Sequence, residues 1–219
     1  MLMKIYKHIH VKQVQDFYGD LLRDFSSSFT VKEHLLYLAE RLWEGIENQN
    51  KVAGIELSNY HPQYLGKKWE EISQDGLNKA DAFQCIAAEY GFGRWEDVEE
   101  LDDTNYHQEF ELLVDLVLNG NIREVESLIS KRPDLLQLKS SYGHQASILH
   151  YCASNGLELW RQQVPENLAA ISKLLIEKGA DKQAKMKVYG GEFTALPLLE
   201  SSAHPREAGI LEEMQAILA

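Results

Sequence analysis

Cysteine is scarce in this 219-residue chain, which holds only Cys85 and Cys152. Two thiols cannot make a disulfide framework, and both fall inside apolar helical patterns, where a thiol behaves as a small core residue. A reducing cytoplasm is the expected compartment. No window approaches the ~18 consecutive apolar residues of a membrane span. The opening, Met1-Leu2-Met3-Lys4-Ile5-Tyr6-Lys7-His8, runs on into Lys12, Asp16 and Asp20 and lacks the unbroken apolar stretch of an export signal. There is no Asn-x-Ser/Thr sequon. Gly91, Gly93, Gly190 and Gly191 form neither a Walker pattern nor G-x-G-x-x-G. His8 and His10 alternate, but no third ligand completes a metal set nearby. With no acid–base pair at a telling spacing either, neither catalytic residues, a metal nor a cofactor is expected.

Positive charge is also short, and unevenly so. The net charge is −12, yet residues 81–126 alone carry 13 acidic and 2 basic side chains, while residues 1–80 sum to −1 and residues 127–219 to zero. The acid forms a belt that includes Glu96, Asp97, Glu99, Glu100, Asp102 and Asp103. Such a balance argues against duplex nucleic acid as a ligand, because affinity there depends on clustered Lys and Arg neutralising phosphates. The belt reads as a solvated helix face and loop ahead of a dedicated site for a basic partner. The chain is otherwise 44% hydrophobic and 26% charged, as a globular protein with a sizeable core should be.

What is present, instead, is periodicity. Asn119-Gly120 and Asn155-Gly156 each follow an apolar helical run, which sets Leu113 and Leu149 in equivalent positions 36 residues apart. A third copy begins at Thr194-Ala195-Leu196-Pro197, with Leu196 as its equivalent leucine. Apolar stripes follow each turn: Ile122, Val125, Leu128 and Ile129; then Leu168, Ile171, Leu174 and Leu175; then Ile210, Leu211, Met214, Ile217 and Leu218. Gly179 is placed to end the second helix of the middle unit, and Asn121 to cap the second helix of the first. Ser147-Ile148-Leu149-His150-Tyr151-Cys152-Ala153, closed by Leu174-Leu175-Ile176-Glu177-Lys178-Gly179-Ala180-Asp181, resembles one ankyrin repeat, standing where a T-P-L-H-x-A turn and an L-L-x-x-K-G-A-D ending would. Ser147 and Ile148 replace the usual Thr-Pro, Cys152 an alanine, and Pro197-Leu198 the His-x of the third copy. The middle unit exceeds the usual length of about 33 residues, so it carries an insertion, placed at 157–166.

The series Ile86-Ala87-Ala88-Glu89-Tyr90-Gly91-Phe92-Gly93-Arg94-Trp95-Glu96-Asp97-Val98, with the motifs above, Arg161 to Asn167, Tyr189 to Thr194 and Ser201 to Pro205, is similar to a group of bacterial ankyrin-repeat proteins with a helical N-terminal segment. The similarity covers about residues 78–219. It implies an all-α protein: an ankyrin-repeat α-solenoid of about three repeats (106–139, 140–183 and 184–219) with short β-turn fingers, behind a helical N-terminal cap at 1–104. A histidine at position 150 in such a repeat hydrogen-bonds neighbouring turn backbone, so its expected role is structural. Within the N-terminal region, Val14, Phe17, Tyr18, Leu21, Leu22 and Phe25 share one face and Leu35, Leu38, Ala39, Leu42 and Ile46 another. Thr30 and Glu33 form a capping box. A helix runs from Asn78 to Tyr90 with Gly91 as its left-handed stop, and one or two turns follow from Trp95. The stretch 52–76 reads as an irregular connection with a short helix at 69–72.

The expected function is therefore non-enzymatic: binding a protein partner through the repeat groove, with self-association through the C-terminal repeat as a further option. Trp160, Arg161 and Gln162 on the insertion, with Lys185, Lys187 and Tyr189 on the following finger, are the candidate partner-binding residues, being of types enriched at hot spots. An alternative makes the insertion the wall of a small-molecule or anion pocket, in a sensor or an enzyme. A third possibility leaves no site there: Trp160 packs beneath the insertion and Arg161 pairs with a local carboxylate such as Glu158.

Overall fold

The computed structural model describes residues 3–22, 30–101 and 104–219; Phe25, Asp102 and Asp103 lie outside them. Among the described residues helices dominate, with two short antiparallel strand pairs. Two compact units divide the chain: one comprises residues 9–106, the other residues 1–8 together with 107–219. The first eight residues group with the C-terminal part, not with the helical region that follows them. The reason is strand pairing: β1 (Ile5–Lys7) has a partner late in the chain.

In the unit of residues 9–106, α1 (Ile9–Tyr18) leads through a single 3₁₀ turn (Gly19–Leu22) towards α2 (Val31–Glu47). The α2 helix begins where Thr30 and Glu33 cap reciprocally: the Glu33 amide donates to Thr30 Oγ1 at 3.1 Å and the Thr30 amide to Glu33 Oε2 at 2.9 Å. Leu35, Leu38, Ala39, Leu42 and Ile46 recur at helical spacing and are all buried. Contrary to the irregular connection expected, residues 51–60 form a regular helix, α3 (Lys51–Tyr60). Asn50 caps it, its side chain accepting the Val52 amide, and Ala53 and Leu57 point inward. After α4 (Trp69–Ile72), α5 (Lys79–Glu89) starts from a second box, Asn78 with Asp81. It stops at Gly91, where φ is +79° and the Phe92 amide folds back onto the Ala87 carbonyl. A short α6 (Trp95–Glu99) completes the unit. Its core lies where α2, α3 and α5 meet.

The other unit is built from helix pairs. The first pair is α7 (Gln108–Leu118) and α8 (Ile122–Lys131); the second is α9 (Ile148–Ala153) and α10 (Leu168–Glu177). The third has α11 (Ala195–Ser201), an unforeseen short α12 (Ala203–Glu207), and α13 (Leu211–Leu218). α9 packs between α7 and α11, while α10 packs between α8 and α13, so the pairs stack in two rows. One continuous core runs through them, from Phe110 and Leu113 through Leu149 and Ile171 to Leu199 and Met214. Neither row could bury its apolar stripe without the next one along. Asn121 departs from expectation: its side chain makes no cap bond, and only its carbonyl accepts, from the Val125 amide.

Between α9 and α10, a 3₁₀ turn (Leu159–Arg161) leads into β2 (Gln163–Pro165), which pairs antiparallel with β1, Tyr6 opposite Val164. Ahead of α11, β3 (Met186–Val188) and β4 (Gly191–Phe193) form a hairpin. Both residues of its two-residue turn, Tyr189 and Gly190, have positive φ, the backbone whose twist suits a tight hairpin.

Candidate functional site

The six residues singled out from sequence separate into two groups. Trp160, Arg161 and Gln162 are buried, with Arg161 only 1% exposed. Lys185, Lys187 and Tyr189 are exposed, Tyr189 by 70%. Solvent-facing anchors at 160–162 are thus corrected to interior residues. The insertion lies down on the protein because its backbone pairs with β1 and its amide side chains find carbonyls: Gln163 Nε2 donates to Leu118 O at 2.9 Å and Gln162 Nε2 to Leu157 O at 2.8 Å.

Arg161 sits at the centre of a buried ionic network. Its guanidinium donates to Glu111 Oε2 at 2.6 Å and to Glu158 Oε1 at 3.4 Å, and its Cζ stands 4.5 Å from the Trp160 ring centre. Asp115 Oδ1 is 3.8 Å away. The local pairing with Glu158 was foreseen as one alternative; the shorter one reaches back to α7. On the far side, His144 Nε2 is 3.7 Å from Glu158 Oε2. Burial opposes every charge here. It nonetheless leaves Arg161 firmly protonated, since Glu111 and Glu158 more than offset it. Glu158 is held below its usual value, the burial penalty being outweighed by His144 and Arg161. Glu111 is raised by burial despite Arg161. A buried network of this kind fixes the insertion in place, as removing one partner would strand a charge.

His150 acts structurally. Its Nδ1 accepts the Ser147 amide at 3.0 Å, which leaves Nε2–H to donate to the Phe193 carbonyl at 3.0 Å. One imidazole therefore ties the start of α9 to β4 of the next pair. Burial drops its pKa to about 4, so it is neutral at pH 7. Cys152, two residues on, is pushed up to about 12 by burial and is no nucleophile. Cys85 is likewise buried and raised.

The hairpin carries the exposed group. Lys187 anchors it through its backbone, donating to the His144 carbonyl at 2.8 Å, and Lys139 Nζ donates to the Lys185 carbonyl. The Tyr189 hydroxyl donates to Asn155 Oδ1 at 2.9 Å, so the phenol is oriented while its ring stays open to solvent. Two exposed lysines and one oriented aromatic ring thus lie close in sequence at this hairpin, Lys185 just ahead of β3, Lys187 within it and Tyr189 at its turn.

A second feature escaped the sequence. In the unit of residues 9–106 a cleft of about 610 Å³ opens between α2, the start of α5 and α6. Phe83 and Trp95 meet edge to face in its wall, 4.6 Å between centres. Lys79 Nζ lies 5.3 Å from the Phe83 ring centre and 2.6 Å from Glu40 Oε1. His61, 4% exposed, faces Asp81 at 3.6 Å; its pKa is lowered by burial, against the pull of Asp81. Glu96 and Glu99 of the acidic belt line the same cleft. The aromatic-acidic run Trp95-Glu96-Asp97-Val98-Glu99 was the available signal, but Glu40 and His61 join it only through the fold.

Among the described residues no group of three or more His, Cys, Asp or Glu side chains is arranged to hold a metal, and no helix is long and apolar enough to cross a membrane. Comparison of the chain with protein-family models, with curated proteins and with solved structures gave no match.

Proposed function

We propose that residues 107–219 form an ankyrin-type repeat stack that binds a polypeptide partner without catalysis, using the hairpin residues Lys185, Lys187 and Tyr189. The observation that carries this reading is the two-row stacking of successive helix pairs, stitched by His150 between Ser147 and Phe193. That is the role a histidine in a T-P-L-H-type turn is expected to play. A stack of this sort gains its stability from neighbouring repeats and leaves its fingers free to vary. Tyr189 and the two lysines supply the aromatic and charged chemistry of a contact patch, on a rigid element that loses little freedom on binding. The partner surface that complements them is acidic and carries an apolar groove or ring for Tyr189.

Trp160, Arg161 and Gln162, being buried, hold the insertion in place and lie outside the patch. The test is affinity capture from the native lysate with the wild type and with Lys185→Glu/Lys187→Glu/Tyr189→Ala, the fold of each verified by circular dichroism. A polypeptide retained by the wild type and lost by the variant supports the proposal. Equal retention by both removes the hairpin from the interaction.

A further inference from the structure

The cleft of residues 9–106 lies outside the proposed hairpin site. Its volume, about 610 Å³, is within the range of roughly 300–1,000 Å³ typical of small-ligand pockets. Its walls combine two features that occur together where organic cations are held: aromatic rings and carboxylates. At formal charges, Glu40, Asp81, Glu96 and Glu99 oppose Lys79 alone. Burial lowers the His61 pKa against the pull of Asp81, which disfavours a positive charge there. The chain already demonstrates the chemistry at one end of the cleft. There the Lys79 ammonium rests on the Phe83 ring and on the Glu40 carboxylate. Trp95, half-buried against Phe83, continues the aromatic wall; Glu96 and Glu99 line the same cleft, as does Asp81, whose carboxylate also accepts the Asn78 amide at 2.7 Å and faces His61.

We propose that this cleft binds a small organic cation, an ammonium or guanidinium head on an apolar or aromatic body. The head sits among Asp81, Glu96 and Glu99, and the body lies against Trp95 and Phe83. An anion is disfavoured by the surplus of carboxylates. A neutral apolar molecule would leave the acidic rim unpaired, which costs affinity relative to a matched cation. The concave shape favours a free small molecule over a side chain presented on a polypeptide, which would have to enter with its backbone attached.

The test uses the full chain, ¹⁵N-labelled, titrated with phenethylammonium chloride, with phenethyl alcohol as its neutral counterpart, and with acetyl-Gly-Lys-Gly-amide as a peptide-borne ammonium. The proposal predicts saturable shifts of the Trp95 indole and of amides in α5 and α6 with phenethylammonium below concentrations on the order of 10 mM. It predicts no saturation with the alcohol. Glu96→Gln/Glu99→Gln, at two exposed positions, should weaken phenethylammonium binding by at least about fivefold. Asp81 is left intact because it caps α5. Equal binding of alcohol and ammonium, unchanged affinity in the double variant, or no saturable shift at residues 79–99 would each overturn the proposal. Tighter binding of the peptide than of the free amine would overturn the small-molecule occupant.

Discussion

Single residues in this protein are most consequential where charge is buried. Arg161 is enclosed with Glu111 and Glu158, so Arg161→Ala should cost about 3–5 kcal/mol by stranding both acids. Lys185→Ala, at an exposed position, should cost under about 0.5 kcal/mol, and urea melts of the two variants check the contrast. Titration supplies a second, signed expectation. His150 has a folded pKa of about 4, below its unfolded value, so the unfolded chain binds the extra proton between those two values. Stability is then complete above about pH 6.5 and falls by about 3 kcal/mol as the pH drops to 4. Urea melts of the wild type and His150→Gln across that window check this: the variant should be less stable at pH 7 and should lose less on acidification. Glu56 should behave oppositely. It is fully buried and its pKa is raised by burial and then by Glu89, so its contribution is lost as the pH rises above the unfolded carboxylate value. Glu56→Gln should therefore gain more stability at pH 8 than at pH 5. These positions also mark what sequence could convey. The Arg161–Glu158 pair is three residues long and was foreseeable; Glu111 lies 50 residues away, beyond any local pattern.

At the scale of elements, the insertion owes its position to a strand at the other end of the sequence. The β1–β2 register sets Ile5 opposite Pro165 and Lys7 opposite Gln163, and the Glu166 amide donates to the Lys4 carbonyl. Deleting residues 1–7 removes those backbone bonds, and the amides of the segment 163–166 should then exchange with solvent markedly faster in hydrogen-exchange measurements. The hairpin meets a different constraint at Gly156. Its φ is +72°, and a Cβ there would come within 2.9 Å of Val188. Gly156→Ala should destabilise by about 1–3 kcal/mol and shift the β3 resonances. Helices were the legible part: apolar spacing placed α2, α5, α8, α10 and α13, and the Thr30–Glu33 box marked a boundary. α3 was missed because Pro62 and its aromatic neighbours suggested irregularity, although Asn50 was an adequate cap. α12 was missed because five residues are too few to display a period. The strand pair β1–β2 was missed because three-residue strands carry almost no alternation, and their pairing spans the chain.

Across the whole molecule, charge and candidate sites are distributed differently between the two units. The acidic belt contributes Glu96 and Glu99 to the cleft of residues 9–106, whereas residues 127–219 sum to zero charge and carry the lysine-bearing hairpin. A cation pocket and a basic contact patch are therefore separate expectations, and each can fail alone. Lys185, Lys187 and Tyr189 could be singled out in sequence because they lie together just ahead of the third apolar pattern; the cleft could not, because four separate segments between residues 40 and 99 build it. Engagement of a polypeptide by the hairpin can be read by photo-crosslinking in the native cell. A benzoylphenylalanine probe would replace Tyr189, with the same probe at exposed Leu65 as control. Engagement through the hairpin requires a discrete polypeptide adduct from position 189 that is absent at 65 and lost in the Lys185→Glu/Lys187→Glu background. No adduct at 189, or the same adducts at both positions, would contradict it.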